Sequence, residues 1–190
     1  MYTYLAYHGT TKSAAGKILE TKTFRPSASE AGFLGTGAYF FEAGPRHALS
    51  WAERKCELEG GEAAVLEVTI KADVVINLCD RKHWEAVEII HKKMLSEGVV
   101  PSQIGPLGLF SKPMRQTSDF GKNYCDHKVM NRLIETLNEN IREAGQQVEV
   151  IRCPFVRGGP VYEHSWFFSG SCIMLSVVDN MCIQDMRVIT

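Results

Sequence analysis

The sequence predicts an α+β fold built on a split, mostly antiparallel β-sheet with flanking helices, and three observations carry that expectation. Strand-like and helix-like segments are mixed along the chain without the regular alternation of a doubly wound sheet. No internal repeat or low-complexity tract imposes a different architecture. At 190 residues and 45% hydrophobic content, the chain suffices for one substantial core and falls short of two ordinary domains, so residues 1–190 read as a single domain.

Each element has a local reason. Residues 3–8 are aromatic and apolar and read as a strand, after which Thr10 or Thr11 can cap a helix over 13–20. A brief strand is expected at 24–26, and a loop then leads to Phe33-Leu34-Gly35-Thr36-Gly37, where two glycines permit a tight turn or a close backbone approach to a ligand. Residues 38–42 follow as a strand. Pro45 suits the first turn of a helix over 46–58 that Gly60-Gly61 closes. Two apolar, β-branched runs at 64–70 and 74–78 predict strands, and a helix is expected over 80–96. Residues 99–121 are rich in Gly, Pro and Ser, which predicts a long loop at about 97–124. Val129, Met130, Leu133, Ile134, Leu137 and Ile141 recur at helical spacing within 127–144, ahead of Gly145. Strands are expected at 148–153, 172–178 and 186–189.

A formal charge of -1 gives no global field for nucleic acid or a membrane surface, so any such partner must meet a local patch. The stretch from Lys112 to Arg132 is one, with Lys112, Arg115, Lys122, Lys128 and Arg132 against Asp119 and Asp126, and Phe120 and Tyr124 interleaved. Cations among aromatics suit a nucleic acid; an ordinary solvated loop leading into a helix is the other reading and the more common one for such a stretch. The six cysteines form no C-x-x-C pair, which disfavours a zinc site. Without a signal-peptide pattern or an apolar stretch of about 18 residues, they read as buried free thiols of a cytoplasmic protein with no membrane span.

Two short segments carry the chemistry, Tyr7-His8-Gly9-Thr10 and Gly35-Thr36-Gly37-Ala38-Tyr39-Phe40-Phe41-Glu42. Together they resemble the nicotinamide-gripping half of ADP-ribosyltransferases of the diphtheria-toxin and poly(ADP-ribose)-polymerase branch, over about the first sixty residues. That family has an H-G-[ST] segment at the end of its first strand and a G-x-G-x-Y-F segment that supplies a stacking tyrosine. The resemblance implies NAD as co-substrate and no metal. Breaking the nicotinamide–ribose bond passes through an oxocarbenium-like state, so the amide must be held, the ring flanked and the ribose hydroxyls positioned. A glycine backbone offers N–H and C=O to the carboxamide, an aromatic stacks on the pyridinium and an imidazole bonds a ribose hydroxyl. Gly9, Tyr39 and His8 would fill these roles, with Thr10 beside the donor and Gly37 in the loop. Trp51, on the helix after the tyrosine strand, stands where the family often has a second aromatic; a core aromatic is the other reading of it.

The departure is at the third position, where the family carries a catalytic Glu near its C-terminal strands. Counting back from Cys182-Ile183, that site falls at Met174, which can pack against a donor but accepts no proton. Three groups are candidates to compensate: Glu163 as the catalytic carboxylate and Arg157 for the pyrophosphate, both in the preceding loop, and Asp179 at the end of the Met174 strand. Asp179, beside Asn180, reads as a turn residue.

Small domains of this family resemble bacterial toxins of toxin–antitoxin or phage-defence systems. The expected activity is therefore mono-ADP-ribosyl transfer from NAD to a macromolecule, with RNA favoured over protein or DNA by the basic aromatic stretch. An inhibitory antitoxin partner is implied. The cholera-toxin branch is set aside, because its Glu-x-Glu turn is matched only by Glu57-Leu58-Glu59, in the wrong part of the chain. A catalytically silent module that binds NAD or ADP-ribose is the other class, which the missing carboxylate favours.

Overall fold

The axis of the molecule is the long strand β1 (Tyr2–Thr11), which pairs antiparallel with β3 (Ala63–Ala72) from Tyr2↔Ala72 to Thr11↔Ala63. The computed structural model describes residues 1–27, 32–100 and 117–190, with backbone alone for 117–124. Around β1 lie β2 (Ala38–Glu42), β4 (Val75–Asn77), β5 (Val150–Phe155), β6 (Cys172–Val177) and β7 (Ile183–Val188). They form a seven-stranded open sheet in the order β4-β5-β6-β2-β1-β3-β7. Every pairing is antiparallel except β4 with β5. The helices are α1 (Lys12–Thr21), α2 (Pro45–Glu59), α3 (Arg81–Ser96) and α4 (Thr117–Ile141).

Period-two alternation sends the side chains of each strand to opposite faces, and the two faces are covered differently. On one, Tyr4, Ala6, Phe40, Leu66, Val68, Ile70, Leu175 and Val177 form a core with Ala15 of α1 and with Phe24. On the other, α2 covers Tyr7 and Val65, while Ile76, Ile151 and Cys153 pack with buried residues of α3 and α4. Phe40, fully buried between strands and Phe24, anchors the first core; removing such a ring costs about 3–5 kcal/mol. A partly buried ion pair crosses the sheet where Arg152 Nε donates to Glu42 Oε2 at 2.6 Å and Arg152 Nη1 to Asn77 Oδ1 at 3.2 Å.

Local capping follows the sequence. Thr11 Oγ1 accepts from Ala14 N at 3.2 Å, Asp80 Oδ1 accepts from Lys82 N at 3.1 Å, and Pro45 occupies the first turn of α2. Asp179 is the expected turn residue, its carboxylate accepting from Met181 N at 2.9 Å.

Four expectations change. Residues 24–26 form no strand: Asn180 Oδ1 accepts from Phe24 N at 2.9 Å and its Nδ2 donates to Phe24 O at 3.0 Å, so one side chain satisfies what a strand neighbour would. The expected loop at 97–124 is helical from Thr117, where α4 begins well before the apolar periodicity; residues 101–116 lie outside the described residues. The last strand starts at Ile183 rather than 186. Cys125, Cys153 and Cys182 are buried free thiols, the latter two pushed up to about 12 by burial, but Cys79 is exposed and Cys56 and Cys172 are half-buried. None of the described helices is long and apolar enough to cross a membrane.

Candidate functional site

The ladder between β1 and β2 is short. Ala43 N–H donates to Leu5 O at 3.0 Å, and the ladder continues through Ala6↔Glu42 and Tyr7↔Phe41. In an antiparallel strand the N–H and C=O of every second residue face the same neighbour, so Leu5, Tyr7 and Gly9 all present theirs to β2. Yet no pairing of Gly9 with β2 occurs among the described residues. Where it would lie, the His8 side chain bridges the strands, its Nδ1 at 2.8 Å from Tyr39 O.

That bridge fixes the imidazole. A carbonyl oxygen only accepts, so Nδ1 carries the proton, and the neutral ring keeps a lone pair on Nε2. The ring sits against Phe24 and Phe40, with centroids at 5.1 and 5.4 Å. Burial holds the His8 pKa below the ordinary histidine value, the bond to Tyr39 O opposes this, and the Lys55 charge adds to the lowering. At neutral pH the site therefore offers an acceptor nitrogen on a fixed, uncharged ring.

Gly9 has a second constraint. A Cβ there would collide with Ala48 O and stand 2.8 Å from Ala48 C and 3.1 Å from Ala52 N, all backbone of α2. The absence of a side chain lets α2 seat directly on β1. Ala48 and Ala52 are the buried residues of that helix, and Lys55 continues the same face one turn on. Trp51 is 52% exposed on the flank of this face, four residues before Lys55, which removes the core-aromatic reading. Thr10 is buried on the same strand face as His8.

Tyr39 projects to the opposite face from His8. Its hydroxyl accepts from Leu34 N and donates to Gly35 O, both at 2.9 Å, tying the phenol to the glycine loop. Burial raises its pKa well above the ordinary tyrosine value, so it remains a neutral donor. Gly37 lies against Ser176 of β6, opposite Tyr39 in the ladder.

Met174 is half-buried on β6, paired with Phe41 and Cys153 and packed in the same apolar cluster as Tyr39. No carboxylate stands at that position. Glu163 and Arg157 belong to an ordered ribbon before β6, held by Val161 N to Phe167 O at 2.8 Å and Gly170 N to Arg157 O at 2.9 Å. Glu163 is at its tip, 90% exposed, with His164 Nε2 3.6 Å from its carboxylate. Arg157 is exposed at its base. The ribbon also presents Tyr162, Trp166 and Phe167 to solvent, Trp166 being 91% exposed. The structure thus brings His8, Gly9, Tyr39 and Met174 to the central strands and leaves Glu163 at the periphery.

Of the basic aromatic stretch, Lys112 and Arg115 lie outside the described residues, and the side chains of Phe120, Lys122 and Tyr124 are likewise undescribed. Arg132 is half-buried and pairs with Glu135 at 3.5 Å. Among the described residues no group of His, Cys, Asp and Glu is placed to hold a metal ion.

Lys55 and the pair His127 and Asn131 are site neighbours that sequence reasoning passed over. The i, i+4, i+7 spacing of Ala48, Ala52 and Lys55 was the available signal for the first.

Over 88 residues the chain is 34% identical to an uncharacterized protein of Methanocaldococcus jannaschii, a match that covers 45% of this chain and 38% of that protein. The similarity therefore spans well under half of the relative's length. No family model and no solved structure matches the chain.

Proposed function

We propose that this chain is an NAD-dependent mono-ADP-ribosyltransferase with an ADP-ribosyltransferase-like fold, acting on a macromolecule. The observation that carries this reading is the interruption of the β1–β2 ladder at Gly9, whose N–H and C=O face β2 where no pairing is formed among the described residues and the His8 side chain bridges the strands. A carboxamide needs one donor and one acceptor side by side, and an unpaired strand residue offers that pair. At that break His8 Nε2 would accept from a ribose hydroxyl on one face of the sheet, while Tyr39 and Met174 offer apolar surface to the nicotinamide end on the other, the face that α2 and its Trp51 cover. Thr10 and Gly37 shape its walls, and Arg157 is the ribbon cation suited to the pyrophosphate.

In the transfer, the bond between C1′ of the ribose and the nicotinamide nitrogen breaks with its electron pair leaving on nicotinamide. The acceptor nucleophile then bonds C1′ and loses its proton to solvent. With methionine at position 174, acceleration rests on holding the donor in a reactive geometry rather than on a carboxylate at that strand. The exposed aromatics of the ribbon suit stacking on unpaired bases, which favours RNA as the acceptor. The resemblance extends the proposal to a toxin or phage-defence role in the cytoplasm with an inhibitory partner.

The experiment is incubation with NAD labelled in its adenylate part and separate pools of RNA, DNA and protein. Label retained by RNA supports the full proposal, and label retained by protein keeps the enzyme while changing its acceptor. NAD bound with no nicotinamide released supports the second reading, a silent NAD-binding module, which Met174 favours. No binding at all refutes both.

A further inference from the structure

The loop that holds Tyr39 is itself held from outside the sheet. His127 and Asn131 sit one turn apart on α4 and face the same loop. His127 Nδ1 is 2.8 Å from Gly32 O, so that nitrogen carries the proton, and Nε2 is left to accept from Asn131 Nδ2 at 3.0 Å. The amide of Asn131 then grips the loop twice: Oδ1 accepts from Thr36 N at 2.8 Å, and Nδ2 donates to Thr36 Oγ1 at 3.2 Å. Asn131 Oδ1 also lies where a Cβ on Gly35 would be, at 2.6 Å, and Gly35 has φ of +77°. Glycine is needed there on both counts.

These contacts are in series with the phenol. Gly32, Leu34, Gly35 and Thr36 form one short loop, gripped on one side by α4 and on the other by the Tyr39 hydroxyl through Leu34 N and Gly35 O. The ring packs beside Phe33 and is only half-buried, so the hydroxyl anchor shares in setting its orientation.

We infer that Asn131, oriented by His127, is a positioning residue that sets the Tyr39 ring through the loop from Gly32 to Gly37. The inference rests on the donor-site reading for its catalytic consequence. The orientation of Asn131 is dictated by its neighbours: Thr36 N–H needs the oxygen, and His127 Nε2 needs the amide protons. A histidine with Nδ1 committed to a carbonyl is thus the group that chooses which end of Asn131 meets the loop.

Two readouts test it in the intact chain. Amide hydrogen exchange of Asn131→Ala is expected to be faster by about tenfold at Thr36, which loses its acceptor, and also at Leu34, whose partner is Tyr39 and not Asn131. Unchanged exchange at Leu34 overturns the inference, because the grip would not be transmitted to the phenol. In nicotinamide release from NAD, Asn131→Ala should raise KM by about tenfold with kcat little changed, since a mobile stacking ring weakens donor binding. His127→Asn, which keeps a donor near the Nδ1 position for Gly32 O but has no atom at the Nε2 position to accept from Asn131, should fall between wild type and Asn131→Ala. Equal KM in all three proteins overturns the inference as well. If wild type itself releases no nicotinamide and binds no NAD, the donor-site reading fails instead, and exchange at Leu34 alone decides whether the α4 grip positions Tyr39.

Discussion

Gly9→Ala is the perturbation whose cost is most directly worked from the structure. The added methyl would collide with Ala48 O and stand 2.8 Å from Ala48 C and 3.1 Å from Ala52 N. These are backbone atoms of α2, so no rotamer change relieves them, and the helix must lift from β1. Ala48 is wholly buried in that contact with Tyr7 and Val65. Overpacking of this kind costs about 3 kcal/mol, at the upper end of small-to-large changes. For a chain of this length that corresponds to a fall of about 6–12 °C in melting temperature, read by calorimetry or by urea midpoints at constant slope. A variant melting within about 2 °C of wild type would refute the claim that α2 seats on Gly9.

Three further outcomes follow from the same geometry. Tyr39→Phe removes the partner of both Leu34 N and Gly35 O and should cost about 1–3 kcal/mol in urea unfolding; an unchanged midpoint would show that the loop is held without the phenol. His8, held neutral by burial, resists protonation in the native state while the unfolded chain takes up a proton near 6.5, so its stability contribution is full above that pH and declines as pH falls toward the lower native value. His8→Gln should therefore flatten the loss of stability between about pH 7 and pH 5, leaving the contribution of His83, which burial shifts the same way; an unaltered profile would contradict the buried neutral ring. Trp166→Ala should leave stability within about 0.5 kcal/mol while lowering label transfer to RNA but not NAD hydrolysis; equal transfer would remove the ribbon from acceptor recognition.

Much of the fold was legible because its elements are locally consistent. The Thr11 cap, Pro45 in the first turn of α2, the Asp80 cap and the β-branched runs each state their structure within a few residues. What escaped was set at long range. Phe24 gains its partner from Asn180, 156 positions away, and α4 starts at Thr117 in a segment without apolar periodicity. At the site, His8, Gly9 and Tyr39 stood out through two segments that together resemble a family's motifs, although each residue alone reads as structural. Asn131 did not, because an asparagine inside an amphipathic helix carries no signal until the loop it grips lies beside it. Gly9 shows how two demands coincide in one residue: the sequence suggested a backbone aimed at a ligand, and the structure adds the helix that rests on it.

The central claim is that the backbone of Gly9, at the break in the β1–β2 ladder, receives the carboxamide of NAD. Amide proton and nitrogen shifts recorded while NAD is added to the labelled protein test it most directly. The account predicts saturable shifts at Gly9 and at Tyr39, with little change along the paired Tyr2 to Ala6 portion of β1. Shifts confined to other parts of the chain, or none at millimolar NAD, would contradict it.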